Sequence, residues 1–248
     1  MTRDEILKQW AMPHTSPSYP LGPYRFINRE YCIISYETDM AVIREILPEP
    51  LELPDLPHVH FEWIKMPDSA GFGDYTESGV VIPCRWHGEH CNFVVQMYLD
   101  DLSPIVAGRE IWGFPKEYAH PVLRVEKDTL TGTLEYAGTR VATGTMEYKP
   151  AIWEYDDVVK SMQRTQINLK LIPHVDGSLA IAQLVAYNLT DITVKGAWKG
   201  KAALHLVPHV HAPVADIPIR KVIGGVHIIA DLTLPYGRVI HDYLQDKQ

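Results

Sequence analysis

Cysteine is scarce in this chain: Cys32, Cys84 and Cys91 are the only three among 248 residues. An odd count without paired spacing excludes a disulfide framework and reads as reduced thiols in a cytoplasmic protein. As free thiols they behave as small buried apolar groups. No run of 18 apolar residues occurs, so no membrane-spanning helix is expected. The opening MTRDEILKQW lacks the basic start and apolar stretch of a secretory signal. Positive charge is in the minority, 23 Lys and Arg against 31 Asp and Glu, and the net charge of −8 speaks against a nucleic-acid surface. Glycine motifs for phosphate or dinucleotide are missing, as is the G-x-S-x-G elbow of serine hydrolases. Metal frameworks are missing too. Cys84, His87, His90 and Cys91 follow no familiar zinc spacing, and the H-x-H pairs at 58/60 and 209/211 stand without a supporting Glu-His helix motif. No cofactor or metal is expected.

What remains is an ordinary globular composition, 46% hydrophobic and 22% charged, long enough for a sizeable core. Thirteen Tyr and 19 Pro point to strands joined by rigid turns. Alternating patterns predict strands in EYCIISYET, HVHFEWIKM and HCNFVVQMYLD, with a hairpin turn between Cys84 and Cys91. The stretch 122–150 reads as an antiparallel meander, and Asp176-Gly177 as a second hairpin turn. Short helices are expected in TRDEILKQW, capped by Thr2 with Glu5, in DMAVIREILP, in SPIVAGREIW with Ser103 as cap, and in AIWEYDDVVKSMQ. SAGFGDYTESG reads as a glycine-rich loop feeding a strand. No linker or tandem repeat divides the chain, so one mainly β domain over 1–248 is expected.

Three places carry chemistry. Lys116, in REIWGFPKEY, follows Trp112, Phe114 and Pro115 and precedes Glu117. A lysine amine is ordinarily protonated near neutrality. Desolvation in an apolar pocket or a second cation nearby makes it nucleophilic. Local composition alone favours a surface Lys-Glu pair. Adjacent residues of an extended backbone face opposite ways, however, so Glu117 is expected to point outward if Lys116 points inward. Glu77, in GFGDYTESG, is either a solvated loop carboxylate or a proton relay. Arg29, in PYRFINREY, is either a structural ion-pair partner or a carboxylate binder.

Over nearly its whole length the chain resembles the acetoacetate decarboxylase family. The pieces that carry the likeness are SPSYPLGPYRFINREY, DMAVIREILPEPLEL, DYTESG, MYLD, GREIWGFPK, TLTGTLEYAGTRVATGTM, TVKGAW and HIIADLTLPYGRVIHDYL, in that order. The resemblance implies a cone-shaped antiparallel β-barrel with small peripheral helices, built into a homo-oligomer. It implies a Schiff-base lysine at Lys116 and further catalytic residues at Glu77, Glu62 and Arg29. The substrate it implies is a small β-keto acid, most simply acetoacetate, with no organic cofactor, nucleic acid or membrane as partner. Trp112, Phe114, Phe72 and Met97 are the expected pocket walls. One position departs from the family: a second lysine usually follows the nucleophile, and here that residue is Glu117. The wider superfamily includes Schiff-base aldolase-dehydratases, which this departure keeps as the alternative.

Overall fold

The computed structural model describes residues 1–245, so the last three residues of the expected domain 1–248 lie outside it. Fifteen strands dominate the described residues. The first four are β1 (Tyr24–Glu37), β2 (His58–Ser69), β3 (Gly73–Trp86) and β4 (Glu89–Leu99). Then come β5 (Lys116–Tyr118), β6 (His120–Glu126), β7 (Thr129–Tyr136), β8 (Thr139–Glu147) and β9 (Ala151–Ile152). The last six are β10 (Thr165–Pro173), β11 (Leu179–Tyr187), β12 (Thr190–Gly200), β13 (Ala202–Leu206), β14 (Lys221–Leu234) and β15 (Arg238–Asp242). Four short helices lie between them: α1 (Arg3–Ile6), α2 (Met40–Ile46), α3 (Leu102–Ala107) and α4 (Tyr155–Met162). The mainly β class with small helices therefore holds, as does the Thr2–Glu5 capping box.

Two sheets form. The larger runs β15-β11-β10-β4-β3-β2-β1-β14-β12-β9, with β5 beside β4; the smaller runs β13-β8-β7-β6. The larger sheet is mixed, which corrects the purely antiparallel expectation, because β4 pairs in parallel with both β5 and β10. The physical reason is the crossover: α3 and a π-helical turn, Gly108–Trp112, carry the chain back before Lys116 re-enters the sheet. Two local expectations also change. DYTESG belongs to β3, paired along its length with β2, rather than to a loop. Asp101, not Ser103, caps α3, its carboxylate accepting from the Ser103 amide at 3.1 Å.

Strand alternation gives the larger sheet two different faces. On β2, Val59, Phe61 and Trp63 are buried in the core shared with the smaller sheet. Trp63 lies over Gly132 and Gly144, which face each other across β7 and β8. A Cβ on either glycine would sit within 2.5 Å of the indole, so the sheets close on each other only because both positions are bare. The Trp63 indole N–H donates to the Thr133 carbonyl at 3.0 Å, which satisfies its one polar atom in the core. The other residues of β2, His60, Glu62 and Ile64, face the opposite way and line a cavity.

Candidate active site

The cavity holds about 210 Å³ and is lined by Lys116, Glu77, Arg29 and Glu62 together. These four come from β5, β3, β1 and β2, far apart in sequence and adjacent in the ladder. Parity of the strands is corrected twice to bring them there. In β1 the register slips between Phe26 and Arg29, with Asn28 left-handed at φ 55°, so Phe26 and Arg29 both line the cavity despite their odd spacing. In β4 the slip near Val95 and Gln96 does the same for Val94 and Met97.

Lys116 is buried, 6% exposed, in the first position of β5. The π-helical turn before it presents Gly108 to its stem, and a Cβ there would come within 2.9 Å of both Cδ and Cε. Gly113, at φ 74°, ends that turn, and the Arg109 guanidinium donates to the Lys116 carbonyl at 3.1 Å. The amine lies 5.1 Å from the Phe114 ring centroid and 2.6 Å from Glu77 Oε1. Burial lowers the amine pKa below the ordinary lysine value. The Glu77 carboxylate opposes that fall, and the Arg29 guanidinium adds to it. Desolvation wins, as the apolar run before the lysine suggests. The neighbouring cation is Arg29, reached across the sheet, rather than the next residue in the chain.

Glu117 points away. Its side chain is exposed and accepts a hydrogen bond from the Tyr136 hydroxyl at 3.2 Å. The residue that touches the amine is Glu77, a contact that no local pattern in the sequence reveals.

Arg29 Nη2 lies 3.8 Å from Glu77 Oε2, and its guanidinium stands over the rings of Phe26 and Tyr31 at 5.0 and 4.9 Å. Stacking and a carboxylate hold the cation in a site that water would otherwise supply. Among the described residues, Glu62 has no ion-pair partner at contact distance. Burial pushes its carboxyl up to about 7, against the pull of Arg29 and with the push of Glu77. Its proton is retained in the fold at pH values where the unfolded chain has lost it, so folding is progressively opposed as pH rises between the two values. We expect Glu62→Gln to gain stability over the parent by roughly 3 kcal/mol between about pH 4 and about pH 8. Denaturant unfolding at the two pH values measures this; a difference that does not grow with pH would show that Glu62 ionises freely in the fold.

Of the expected walls, Phe114 and Met97 line the cavity. Trp112 and Phe72 do not, which corrects that expectation. Trp112 faces the apolar layer behind Phe114, with its N–H donating to the Pro235 carbonyl at 3.0 Å and its ring stacked on Tyr236. Phe72 precedes β3 and packs on Tyr24, 4.4 Å between centroids. Tyr31, Tyr75 and Tyr187 supply wall surface that the sequence reading did not single out. His60, half of one H-x-H pair, faces the cavity with Nδ1 2.8 Å from the Ser35 hydroxyl. Among the described residues, no three His, Cys, Asp or Glu side chains gather as a metal set.

The family model described as acetoacetate decarboxylase (ADC) matches residues 11–244. The acetoacetate decarboxylase of Acidiphilium cryptum is 59% identical over 235 residues, covering 95% of this chain and 96% of the relative. The crystal structure of acetoacetate decarboxylase from Legionella pneumophila superposes with a TM-score of 0.91 at 50% identity, covering 96% of each chain. A second acetoacetate decarboxylase structure gives a TM-score of 0.96 at 44% identity, over 99% of this chain and all of that one.

Proposed function

This chain belongs to the acetoacetate decarboxylase family, and on that premise we propose that it converts acetoacetate to acetone and CO2 through a Schiff base on Lys116. The observation that carries the reading is a buried amine of lowered pKa, 2.6 Å from a carboxylate, at the wall of the cavity. Acetoacetate decarboxylase is the standard example of a lysine activated by desolvation or a neighbouring cation, so the activation itself is not a new claim.

The ammonium gives its proton to Glu77, and the free amine attacks the ketone carbon. Loss of water leaves a protonated imine β to the carboxylate. The bond to the carboxylate carbon breaks, CO2 departs, and its electron pair neutralises the iminium to give an enamine. A proton added at carbon regenerates the imine, and water releases acetone. The protein is its own electron sink, so no cofactor takes part. Glu77 relays the proton, Arg29 positions the substrate carboxylate, and Glu62 completes the network. Arg29 is already engaged by Glu77, which supports a positioning role: a full grip on the carboxylate would stabilise the ground state and oppose CO2 loss. Phe114 and Met97 contact the substrate and exclude water.

The same reading carries the remaining expectations. A single domain is supported by the ladder that joins β1 to β15. The cone-shaped barrel is supported by a cavity lined from β1, β2, β3, β4, β10 and β14, around which the larger sheet must curl. Homo-oligomerisation is supported by the exposed edge strand β6 with Val122 and Val125 in the open. A cytoplasmic setting is supported by three free cysteines, two of them 3.3 Å apart and unjoined.

Borohydride reduction in the presence of acetoacetate, read by peptide mass alongside CO2 release, tests the function. An adduct on Lys116 with CO2 is expected. An adduct on another lysine would sink the assignment, and an adduct on Lys116 without CO2 would favour aldolase-dehydratase chemistry.

A further inference from the structure

The cavity has a second polar end that decarboxylation of acetoacetate does not use. The strand register orders its wall. Tyr31, Ile64 and Glu77 stand level with one another across β1, β2 and β3; Ser35, His60 and Val81 form another level four residues along. At about 3.3 Å per residue the two levels are about 13 Å apart. Between them the wall is formed by Ile33, Val226 and Glu62, whose carboxyl at about 7 carries only a partial charge near neutrality.

Beyond this waist lie Ser35, His60, Asn92, Arg164 and Gln166, all facing the same cavity and all half-buried. Arg164 follows α4, and Gln166 stands beside Asn92 in the parallel pair of β10 with β4. Arg164 forms no ion pair with any described carboxylate, although the chain as a whole carries a net charge of −8. The Asn92 side-chain oxygen is buried without a partner. His60 is held neutral, with a pKa lowered to about 4 by burial and then by Arg164 and His58, so Arg164 is the cation of this end. A free guanidinium fork beside two amides suits a carboxylate.

We propose that this end binds a second, terminal carboxylate, so that the enzyme also decarboxylates 3-oxo dicarboxylic acids whose saturated chain is long enough to carry that group across the waist. The proposal rests on the Schiff-base reading above. The chemistry is unchanged: the bond between C1 and C2 breaks, C1 leaves as CO2, the electron pair passes to the iminium, and C2 gains a proton. The product is a methyl ketone that keeps the terminal carboxylate. The methylene chain crosses the waist beside Ile33 and Val226 while the ketone carbon meets Lys116. A substrate as short as acetoacetate leaves the far end vacant.

The test compares 3-oxosebacate and 3-oxododecanedioate with the monoacids of equal chain length, 3-oxodecanoate and 3-oxododecanoate, in the wild type, Arg164→Gln and Arg164→Lys. The wild type is expected to prefer the dicarboxylates in kcat/KM by about tenfold or more, the scale of one charge-assisted contact. In Arg164→Gln the preference falls to about one, and Arg164→Lys restores part of it. Because the readout is a ratio within one protein, partial misfolding does not mimic it. Sebacate, which has no ketone, is titrated calorimetrically into the same proteins to read the site without turnover. An enzyme active on acetoacetate that shows no preference, or a preference that survives Arg164→Gln, overturns the subsite and leaves the decarboxylase reading in place. Inactivity on every keto acid, with sebacate binding that still weakens about tenfold in the variant, overturns the decarboxylase reading and leaves the carboxylate site standing.

Discussion

Replacing Lys116 by methionine is expected to abolish both the borohydride adduct and the decarboxylation, with kcat/KM lower by at least about 10⁴, or roughly 5 kcal/mol of transition-state stabilisation. Loss of CO2 leaves an electron pair behind, and only the iminium formed on this amine is placed to receive it. Methionine fills the same channel under Gly108 and against Phe114 without offering a nitrogen. Glu77 keeps Arg29 at 3.8 Å, so the substitution does not strand a buried charge without a partner. The variant therefore folds, and its inactivity is chemical. Lys170 is an alternative amine beside the π-helical turn in space, but it donates to the Ile111 carbonyl at 3.1 Å and does not line the cavity. Activity above about one part in a hundred, with near-native circular dichroism, would mean that a different group forms the sink.

Much of this site was legible only through the family likeness. The local sequence around Lys116 favours a charged surface pair, and the structure shows why that reading misleads. Lys116 opens a strand, so one residue separates a buried face from an exposed one, and Glu117 falls on the exposed side. Alternation did predict β2, and with it the common direction of His60, Glu62 and Ile64. It could not predict the two register slips that turn Arg29 and Met97 inward, because a bulge changes strand parity without changing composition. Glycine richness made DYTESG look like a loop, yet Gly79 is there because a Cβ would lie 2.7 Å from the Gln96 carbonyl oxygen on the next strand. Trp112 was placed one layer too far in: it backs Phe114 rather than the cavity. No local pattern marks Arg164, since its relation to Asn92 and Ser35 exists only through pairings between distant strands.

Glu77→Gln separates two things that Glu77 does, and they move in opposite directions. The carboxylate raises the pKa of Lys116 while burial and Arg29 lower it. Without it burial and Arg29 are opposed only by the smaller influence of Asp101, so the free amine is present down to lower pH than in the parent. Acylation of the amine by an activated ester is therefore expected to hold its rate to lower pH in the variant. Decarboxylation is expected to fall nonetheless, by roughly 10² to 10⁴ in kcat, the range associated with a positioned proton acceptor. Attack on the ketone and hydrolysis of the imine both require proton transfer beside the nitrogen, and Glu77 Oε1 at 2.6 Å is the group in reach. A more nucleophilic lysine in a slower enzyme would show that the carboxylate serves by moving protons rather than by setting the amine pKa. If the acylation profile shifts to higher pH, or turnover stays within about threefold of the parent, Glu77 is a structural partner and the proton must travel by another route.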